Sequence, residues 1–113
     1  MSADIQVVAI FHPASGKESR LKEVLLDLAS KVHENEQGVK KYQAFEQIDS
    51  QTGTNVILFQ ETCYLDADQA AVNTHLTSSY FGAAGETLNK EGLVTKPFEV
   101  IVLNPIGGFA SRV

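Results

Sequence analysis

The chain has 113 residues, of which 43% are hydrophobic and 20% are charged, and its net charge at pH 7 is −5. This length and composition predict one globular domain over residues 1–113, with a single modest core. The nine basic residues are scattered rather than gathered into a stripe. Together with the acidic balance, this argues against a nucleic-acid partner.

The N-terminus and the cysteine content bear on localisation. The opening "MSADIQVV" has no basic stretch followed by a separate apolar one, as a signal peptide would. No segment approaches the roughly 18 apolar residues of a membrane span. Cys63 is the only cysteine, so neither a disulfide within the chain nor a cysteine metal site is expected. These features predict a cytoplasmic protein without a membrane partner.

The first half of the chain predicts a strand followed by a long helix. The run from Ile5 to His12 is apolar on both parities and is stopped by Pro13, as in a strand that is covered on both faces. Ser15 and Glu18 have the spacing of a capping box, and Gly38 is placed to end the helix. Apolar residues recur at helical spacing between them, at Leu21, Val24, Leu25, Leu28 and Val32.

The second half predicts a hairpin, a helical region and a last strand. The hairpin strands are 39–48 and 55–64, with Gly53 in the link. Asp66 and Gln69 repeat the capping spacing before a short helix over 70–74. A second helical piece carries a four-residue repeat ended by Gly92, and the last strand is 97–104, followed by a tail over 105–113. That repeat consists of Leu76, Tyr80, Ala84 and Leu88.

This order of elements, β-α-β-β-α-β, is typical of the ferredoxin-like α+β fold, a four-stranded antiparallel sheet with its helices on one face. The second face of the sheet is then left bare by the chain itself. Whichever parity points outward, the first, third and last strands expose Val, Ile, Leu or Phe. Large exposed apolar patches usually mark interfaces, so we predict a homodimer packed sheet against sheet.

Three segments carry a resemblance to a known family: "VVAIFHPASGKESRLKEVL", "EQGVKKYQAF" and "ILFQETCYLDADQAAVNTHLTSSYF". The third contains Glu61 at a strand end, Asp66 in a polar turn, Ala70 or Ala71 in a helix, then His75 and Phe81. In these segments the chain resembles an antibiotic-biosynthesis-monooxygenase domain of the dimeric α+β barrel superfamily, over about residues 5–104. The resemblance has no invariant catalytic signature.

The resemblance implies an oxygenase without cofactor or metal that acts on a small aromatic molecule, a quinol or a polyketide-type phenol, the substrate itself supplying electrons to O₂. Two positions depart from the family pattern. Cys63 stands where oxygenase members often have Trp, and the chain has no Trp. Haem-degrading members have Trp in the place of His75 and His in the place of Gly85, so haem degradation is not expected.

His75 is the candidate general base, because the ordinary pKa of imidazole lies near neutrality. Glu61 has the parity of Phe59. If that parity faces the helices, Glu61 is a carboxylate among apolar groups that needs a partner, and His75 is the best candidate. The substrate pocket is expected between sheet and helices, with Tyr42 or Tyr80 bonded to a substrate carbonyl. The candidate substrate-binding residues are Tyr42, Phe59, Cys63, Tyr80 and Phe81.

Other interpretations stay open. A Glu61–His75 pair also fits a structural latch, the aromatic pair at 80–81 also fits the core, and Cys63 also fits a small buried apolar residue. His12 and His33 fit solvated surface positions. At the level of function, a cyclase or dehydratase of polyketide-like intermediates and a non-catalytic protein that binds a hydrophobic metabolite remain alternatives to the monooxygenase.

Overall fold

The computed structural model describes residues 5–63 and 78–109. In chain order its elements are β1 (Ile5–Phe11), α1 (Glu18–Asn35), β2 (Val39–Glu46), β3 (Ile57–Cys63), α2 (Ser79–Lys90) and β4 (Glu99–Leu103). This order confirms the predicted β-α-β-β-α-β fold. The expected capping pair at 66 and 69 and the short helix over 70–74 lie outside the described residues. Neither described helix is long and apolar enough to cross a membrane.

The four strands form one sheet in the order β2-β3-β1-β4, and each neighbouring pair is antiparallel. The two central strands are thus β3 and β1, as the ferredoxin-like split motif requires. Gly53, in the link between β2 and β3, has a φ of 84°, the left-handed conformation that was expected there.

Helix α1 buries the predicted apolar stripe but begins and ends differently from the prediction. Lys17 is its N-cap and makes no side-chain capping bond, so the predicted capping box at Ser15 and Glu18 is wrong. Gly16, with a φ of 79°, turns the chain after Ser15, and this leaves the serine two residues ahead of the cap. The helix ends at Asn35 without a left-handed Gly38. The buried stripe residues are Leu21, Leu25, Leu28 and Val32.

Helix α2 begins with a true side-chain cap. Ser78 adopts extended backbone geometry, and its Oγ accepts a hydrogen bond from the Phe81 amide at 3.2 Å. Gly92, with a φ of 61°, follows the last turn, as expected. Of the predicted four-residue repeat, Leu88 is buried, whereas Tyr80 and Ala84 are half-buried and position 76 lies outside the described residues.

The core lies between the helices and one side of the sheet, which we call the helix-facing side. Phe11 and Phe59 meet edge to face there, with ring centroids 6.1 Å apart. Leu93 closes the core after α2, and its carbonyl accepts the Ala14 amide at 2.8 Å. The buried core residues are Phe11, Leu21, Leu25, Ile57, Phe59, Leu88 and Leu93.

The opposite side of the sheet, the outer face, is apolar at half of its positions, and these positions are contiguous. The strand register arranges twelve outward side chains in three rows, read from β2 to β4. The rows are Phe45-Leu58-Ile10-Glu99, Gln43-Gln60-Val8-Ile101 and Lys41-Thr62-Gln6-Leu103. The six apolar residues run from the corner at Phe45 to the corner at Leu103, and we call them the apolar band. Of the six polar residues, Glu99 lies alone on one side of this band and the other five lie on the opposite side.

Adjacent leucines in α1 provide a test of the core. Leu25 is buried, whereas Leu26 is 55% exposed. Leu25→Ala should lower the free energy of unfolding by about 2–5 kcal/mol, because it leaves a cavity under the sheet. Leu26→Ala, the matched control, should change it by less than about 0.5 kcal/mol. Urea unfolding measures both, and equal losses for the two variants would contradict this placement of the core.

Candidate functional site

One row of side chains crosses the helix-facing side at the end of the sheet where β3 finishes. The strand register places Tyr42 beside Glu61, Glu61 beside Val7, and Val7 beside Val102. Glu61 is only 5% exposed. Its parity therefore faces the helices, which was the condition set in the sequence for a carboxylate that needs a partner.

Tyr42 lies flat on a core ring. Its ring stacks on Phe59, with the centroids 4.2 Å apart and the planes 6° from parallel. Burial raises the pKa of the Tyr42 hydroxyl, and the negative charges of Glu61 and Glu36 raise it further. The Tyr42 phenol is therefore protonated throughout the neutral range.

A second carboxylate approaches the same region from the end of α1. Glu36 is 7% exposed; its amide donates to the Val32 carbonyl at 2.9 Å, and its carbonyl accepts the Val39 amide at 3.1 Å. The hydroxyl of Tyr80, in the first turn of α2, donates a hydrogen bond to Glu36 Oε2. Burial and this hydrogen bond raise the pKa of Tyr80 to about 12.

We call Glu36, Tyr42, Glu61 and Tyr80 the polar cluster. It joins two carboxylates and two protonated phenols contributed by α1, β2, β3 and α2. The proton of Tyr80 is engaged by Glu36, so towards a ligand this hydroxyl offers its oxygen lone pairs. Hydrogen bonding of a substrate carbonyl by Tyr42 or Tyr80 stays a prediction.

The sequence analysis did not select Glu36, although a signal was present. Position 36 lies four residues after Val32 and so continues the buried stripe of α1 beyond the helix end. A carboxylate at a stripe position is either buried or forces the chain to turn away. The structure buries it, with Tyr80 as a partner.

The remaining predicted site residues are placed differently. His75 and the side chain of Cys63 lie outside what the structure describes. Phe59 is a core residue whose ring stacks on that of Tyr42. Phe81 packs against Phe98, with ring centroids 5.7 Å apart and nearly perpendicular planes.

Space for a ligand, among the described residues, is unevenly distributed. The gap between α1, α2 and the core rings, bordered by Phe81 and Phe98, holds about 10 Å³, roughly the room that one water needs. A cleft of about 310 Å³ opens between the two helices and includes Tyr80 in its wall. On the helix-facing side, Val100 and Val102 of β4 remain 43% and 59% exposed. An open apolar shelf thus continues the row that contains Glu61.

The two helices are joined over this cleft by surface ion pairs. Arg20 of α1 donates to both carboxylate oxygens of Glu91, each at 2.9 Å, and also pairs with Glu23. These contacts lower the pKa of the Glu91 carboxyl and raise that of the Arg20 guanidinium. The groups are exposed, so the network orients the helix ends more than it stabilises the fold.

The raised pKa of Tyr80 predicts a dependence of stability on alkaline pH. An unfolded tyrosine ionises near pH 10, whereas Tyr80 in the folded chain ionises near pH 12. The stabilisation of the folded state by protonated Tyr80 is therefore complete below pH 10 and is lost as the pH rises to about 12. Tyr80→Phe should be less stable than the original chain at pH 8, and its stability should fall less steeply between pH 9.5 and 11.5.

Urea midpoints of the original chain and of Tyr80→Phe, measured across this pH range, test the prediction. Tyr42→Phe is a companion variant, because the pKa of Tyr42 is raised chiefly by burial, with smaller contributions from the charges of Glu61, Glu36 and Tyr80. Parallel pH curves for the original chain and Tyr80→Phe would contradict the assigned contact with Glu36.

Comparisons with known proteins bear on the fold. No family model and no curated protein matches the chain. Among solved structures, one from Caulobacter crescentus, provisionally assigned as an antibiotic biosynthesis monooxygenase, is 28% identical, with a TM-score of 0.74 over 92% of this chain and 91% of that one. The protein Rv0793 of Mycobacterium tuberculosis is 24% identical, with a TM-score of 0.72 over 96% and 100% of the two chains.

A further solved structure, described as an antibiotic biosynthesis monooxygenase, is 16% identical and has a TM-score of 0.72 over 91% of this chain and 99% of that one. At this level of identity the likeness concerns the fold. It agrees with the order of strands and helices and with the resemblance found in the sequence. The chain has the fold of the antibiotic-biosynthesis-monooxygenase domains.

Proposed function

We propose that the chain is a cofactor-independent monooxygenase of small aromatic or polyketide-like compounds that carry hydroxyl groups, such as a hydroquinone or an anthrone. The observation that carries the proposal is the position of Glu61. It is a buried carboxylate on the helix-facing side, next to Tyr42, in a fold shared with proteins assigned as monooxygenases. Because one fold hosts many activities, the argument for the reaction rests on the site.

The polar cluster supports a ligand that donates hydrogen bonds. Two of its members are carboxylates, and the Tyr80 proton is already engaged by Glu36. A phenol or hydroquinone hydroxyl can donate a hydrogen bond to carboxylate and phenol oxygens of this kind, whereas a quinone carbonyl cannot. The exposed shelf of Val100 and Val102 is suited to the apolar part of the same molecule.

His75 is proposed as the general base. In sequence it stands three residues before Ser78, the cap of α2, and Tyr80 follows in the first turn. Three peptide units span at most about 11 Å, so the length of the chain permits His75 to reach the polar cluster. Glu61 would then hold the ring in one tautomer and stabilise the imidazolium that forms on proton transfer.

The reaction balances without a cofactor. His75 removes a proton from an acidic methylene of the substrate, and the carbanion reduces O₂ while a carbon–oxygen bond forms. Protonation gives a hydroperoxide at that carbon. Loss of water breaks the oxygen–oxygen bond and leaves a carbonyl, so one O₂ converts one methylene into one carbonyl and one water. All four electrons come from the substrate.

Oxygen consumption tests this proposal. The purified chain, with no flavin or metal added, should consume one O₂ for each anthrone oxidised. His75→Ala should lower the rate by about 10²–10⁴-fold, the usual contribution of a general base. Glu61→Gln should lower it less, because the amide keeps the size of the side chain but loses its charge. His33→Ala is the matched control, since His33 is exposed on α1, and should retain the original rate.

An unchanged rate in His75→Ala would refute His75 as the base. Conversion of a polyketide-like substrate under strict anaerobiosis would instead indicate a cyclase or dehydratase. Binding of the aromatic compound without any product, with or without O₂, would indicate a binding protein.

We further propose that the working unit is a homodimer joined through the apolar band. Towards its two ends, Phe45 on one side and Ile101 and Leu103 on the other are 40%, 46% and 42% accessible in the single chain. Such residues on the open face of a sheet are typical of an interface. The exposed Ile106 and Phe109, which follow β4, extend the apolar surface beyond the sheet.

A pair of identical substitutions tests the interface. Ile101→Asp should shift the sedimenting particle from twice the 12.3 kDa of one chain to a single chain, because it buries a charge in the band. Ile48→Asp, in the exposed link after β2, is the control and should leave the dimer intact. A dimer that withstands Ile101→Asp would contradict this interface.

A further inference from the structure

We propose that the gap between α1, α2 and the core rings binds O₂, and that Gly85 keeps this space free. We call it the apolar gap; its border includes Gly85, Phe81 and Phe98. The role of this space rests on the oxygenase proposed above, whose second substrate it holds. Its size, the side chains around it and the glycine itself point to this guest.

The apolar gap is large enough for one small molecule and too small for an aromatic one. It holds about 10 Å³, which is about the room that one water needs. O₂ is a short diatomic molecule that is barely wider than water. A ring of anthrone or hydroquinone fills many times this volume, so the organic substrate lies elsewhere and the gap remains for the gas.

The side chains around the gap favour an apolar guest over water. Each described residue that borders it is a phenylalanine, leucine, alanine or glycine. A buried water needs about two to four polar partners, and these side chains offer none. O₂ needs no hydrogen bond, and it gains dispersion contacts with the closely packed carbon atoms. Dry apolar cavities in proteins take up apolar guests such as xenon for the same reason.

Gly85 has no backbone or packing reason to be a glycine. It lies inside α2, and its φ is not among the positive values that other glycines of the described chain adopt. A Cβ added to it would meet nothing within 4 Å among the described residues. Glycine disfavours a helix interior more than any residue except proline. Because this half-buried position borders the gap, the missing side chain leaves room for a guest.

The apolar gap lies beside the polar cluster without being part of it. Leu28 and Ala84 border both the gap and the larger cleft between the helices. On the sheet side, Phe11 borders the gap and meets Phe59 edge to face, and Phe59 stacks on Tyr42. Core rings thus lead from the gap to the polar cluster, which keeps the held O₂ close to a substrate bound there.

Dissolved O₂ is itself a probe of the gap, because it is paramagnetic and relaxes the methyl groups that lie near it. The methyl groups of Leu25 and Leu28, which border the gap, should relax severalfold faster under O₂ pressure than under N₂. Leu21 and Leu93 are the matched controls, since they are buried core leucines that do not border the gap. Their methyl groups should show only the small effect of O₂ that passes through the core.

Filling the gap tests whether it serves the reaction. Gly85→Val places methyl groups in the gap, so the relaxation of Leu25 and Leu28 by O₂ should fall to that of Leu21. The same variant should raise the KM for O₂ severalfold, while the KM for anthrone and kcat at saturating O₂ stay near their original values. Gly82→Val makes the identical change at an exposed position of α2 and should alter neither readout. Circular dichroism confirms that both variants are folded.

The outcomes separate the O₂ site from the oxygenase. Equal relaxation of the bordering and control leucines in the original chain, which needs no variant, overturns the O₂ site and leaves the oxygenase standing. An unchanged KM for O₂ in Gly85→Val, with the relaxation lost, overturns the role of the gap in supplying the reaction. Relaxation at the gap in a chain that consumes no O₂ with anthrone or hydroquinone overturns the oxygenase and leaves a gas-binding cavity.

Discussion

A four-stranded sheet with apolar side chains on both faces cannot cover both with two helices that pack on the same side. This constraint determines which apolar side chains of the sheet are buried and which remain exposed. The helix-facing side is closed by the stripe of α1 and by Leu88 of α2. The outer face retains the apolar band, and β4 is exposed on both of its faces, at Ile101 on one and at Val102 on the other. The proposals above assign the outer band to a second copy of the chain and the helix-facing valines to the apolar part of a ligand.

In the proposals above, the outer face serves assembly and the helix-facing side serves chemistry. On the outer face the polar residues are separated from the apolar band, which allows specific association. On the helix-facing side, the charges of the polar cluster are held close to Phe59 and the core. Carboxylates in such surroundings need donors, and Tyr80 meets that need for Glu36. A hydroxylated aromatic ligand would bring hydrogen-bond donors to the same region, which connects the buried charges to the proposed substrate class.

Much of this architecture was accessible from periodicity. The spacing of the α1 stripe, the hairpin glycine at 53 and the terminal glycine at 92 each specify a local geometry that tertiary packing did not change. The start of α1 was not accessible in the same way. Ser15 and Glu18 have the correct spacing, but a left-handed Gly16 removes the serine from the cap position. Residue spacing identifies a possible N-cap, and the backbone conformation determines whether that residue caps the helix.

The candidate site was also only partly predictable from the sequence. The parity of β3 placed Glu61 on the same side as Phe59 but left open which side that was, since a strand has only two sides. The structure turns both residues to the helices. Glu36 was missed because a carboxylate just past a helix end usually lies in solvent, and only the position of Tyr80 in three dimensions supplies its partner. The relation of Phe81 to Phe98 is likewise a product of packing between distant segments. Contacts of this kind have no local signature in a sequence.

The central claim is that a second copy covers the apolar band. Paramagnetic relaxation by a soluble gadolinium chelate, measured on isoleucine methyl groups, tests that claim on the surface itself. The methyl groups of Ile10 and Ile101 should be protected, while those of Ile48, which is 93% exposed, should be strongly relaxed. Relaxation of Ile101 in proportion to its 46% exposure in the single chain would contradict the account.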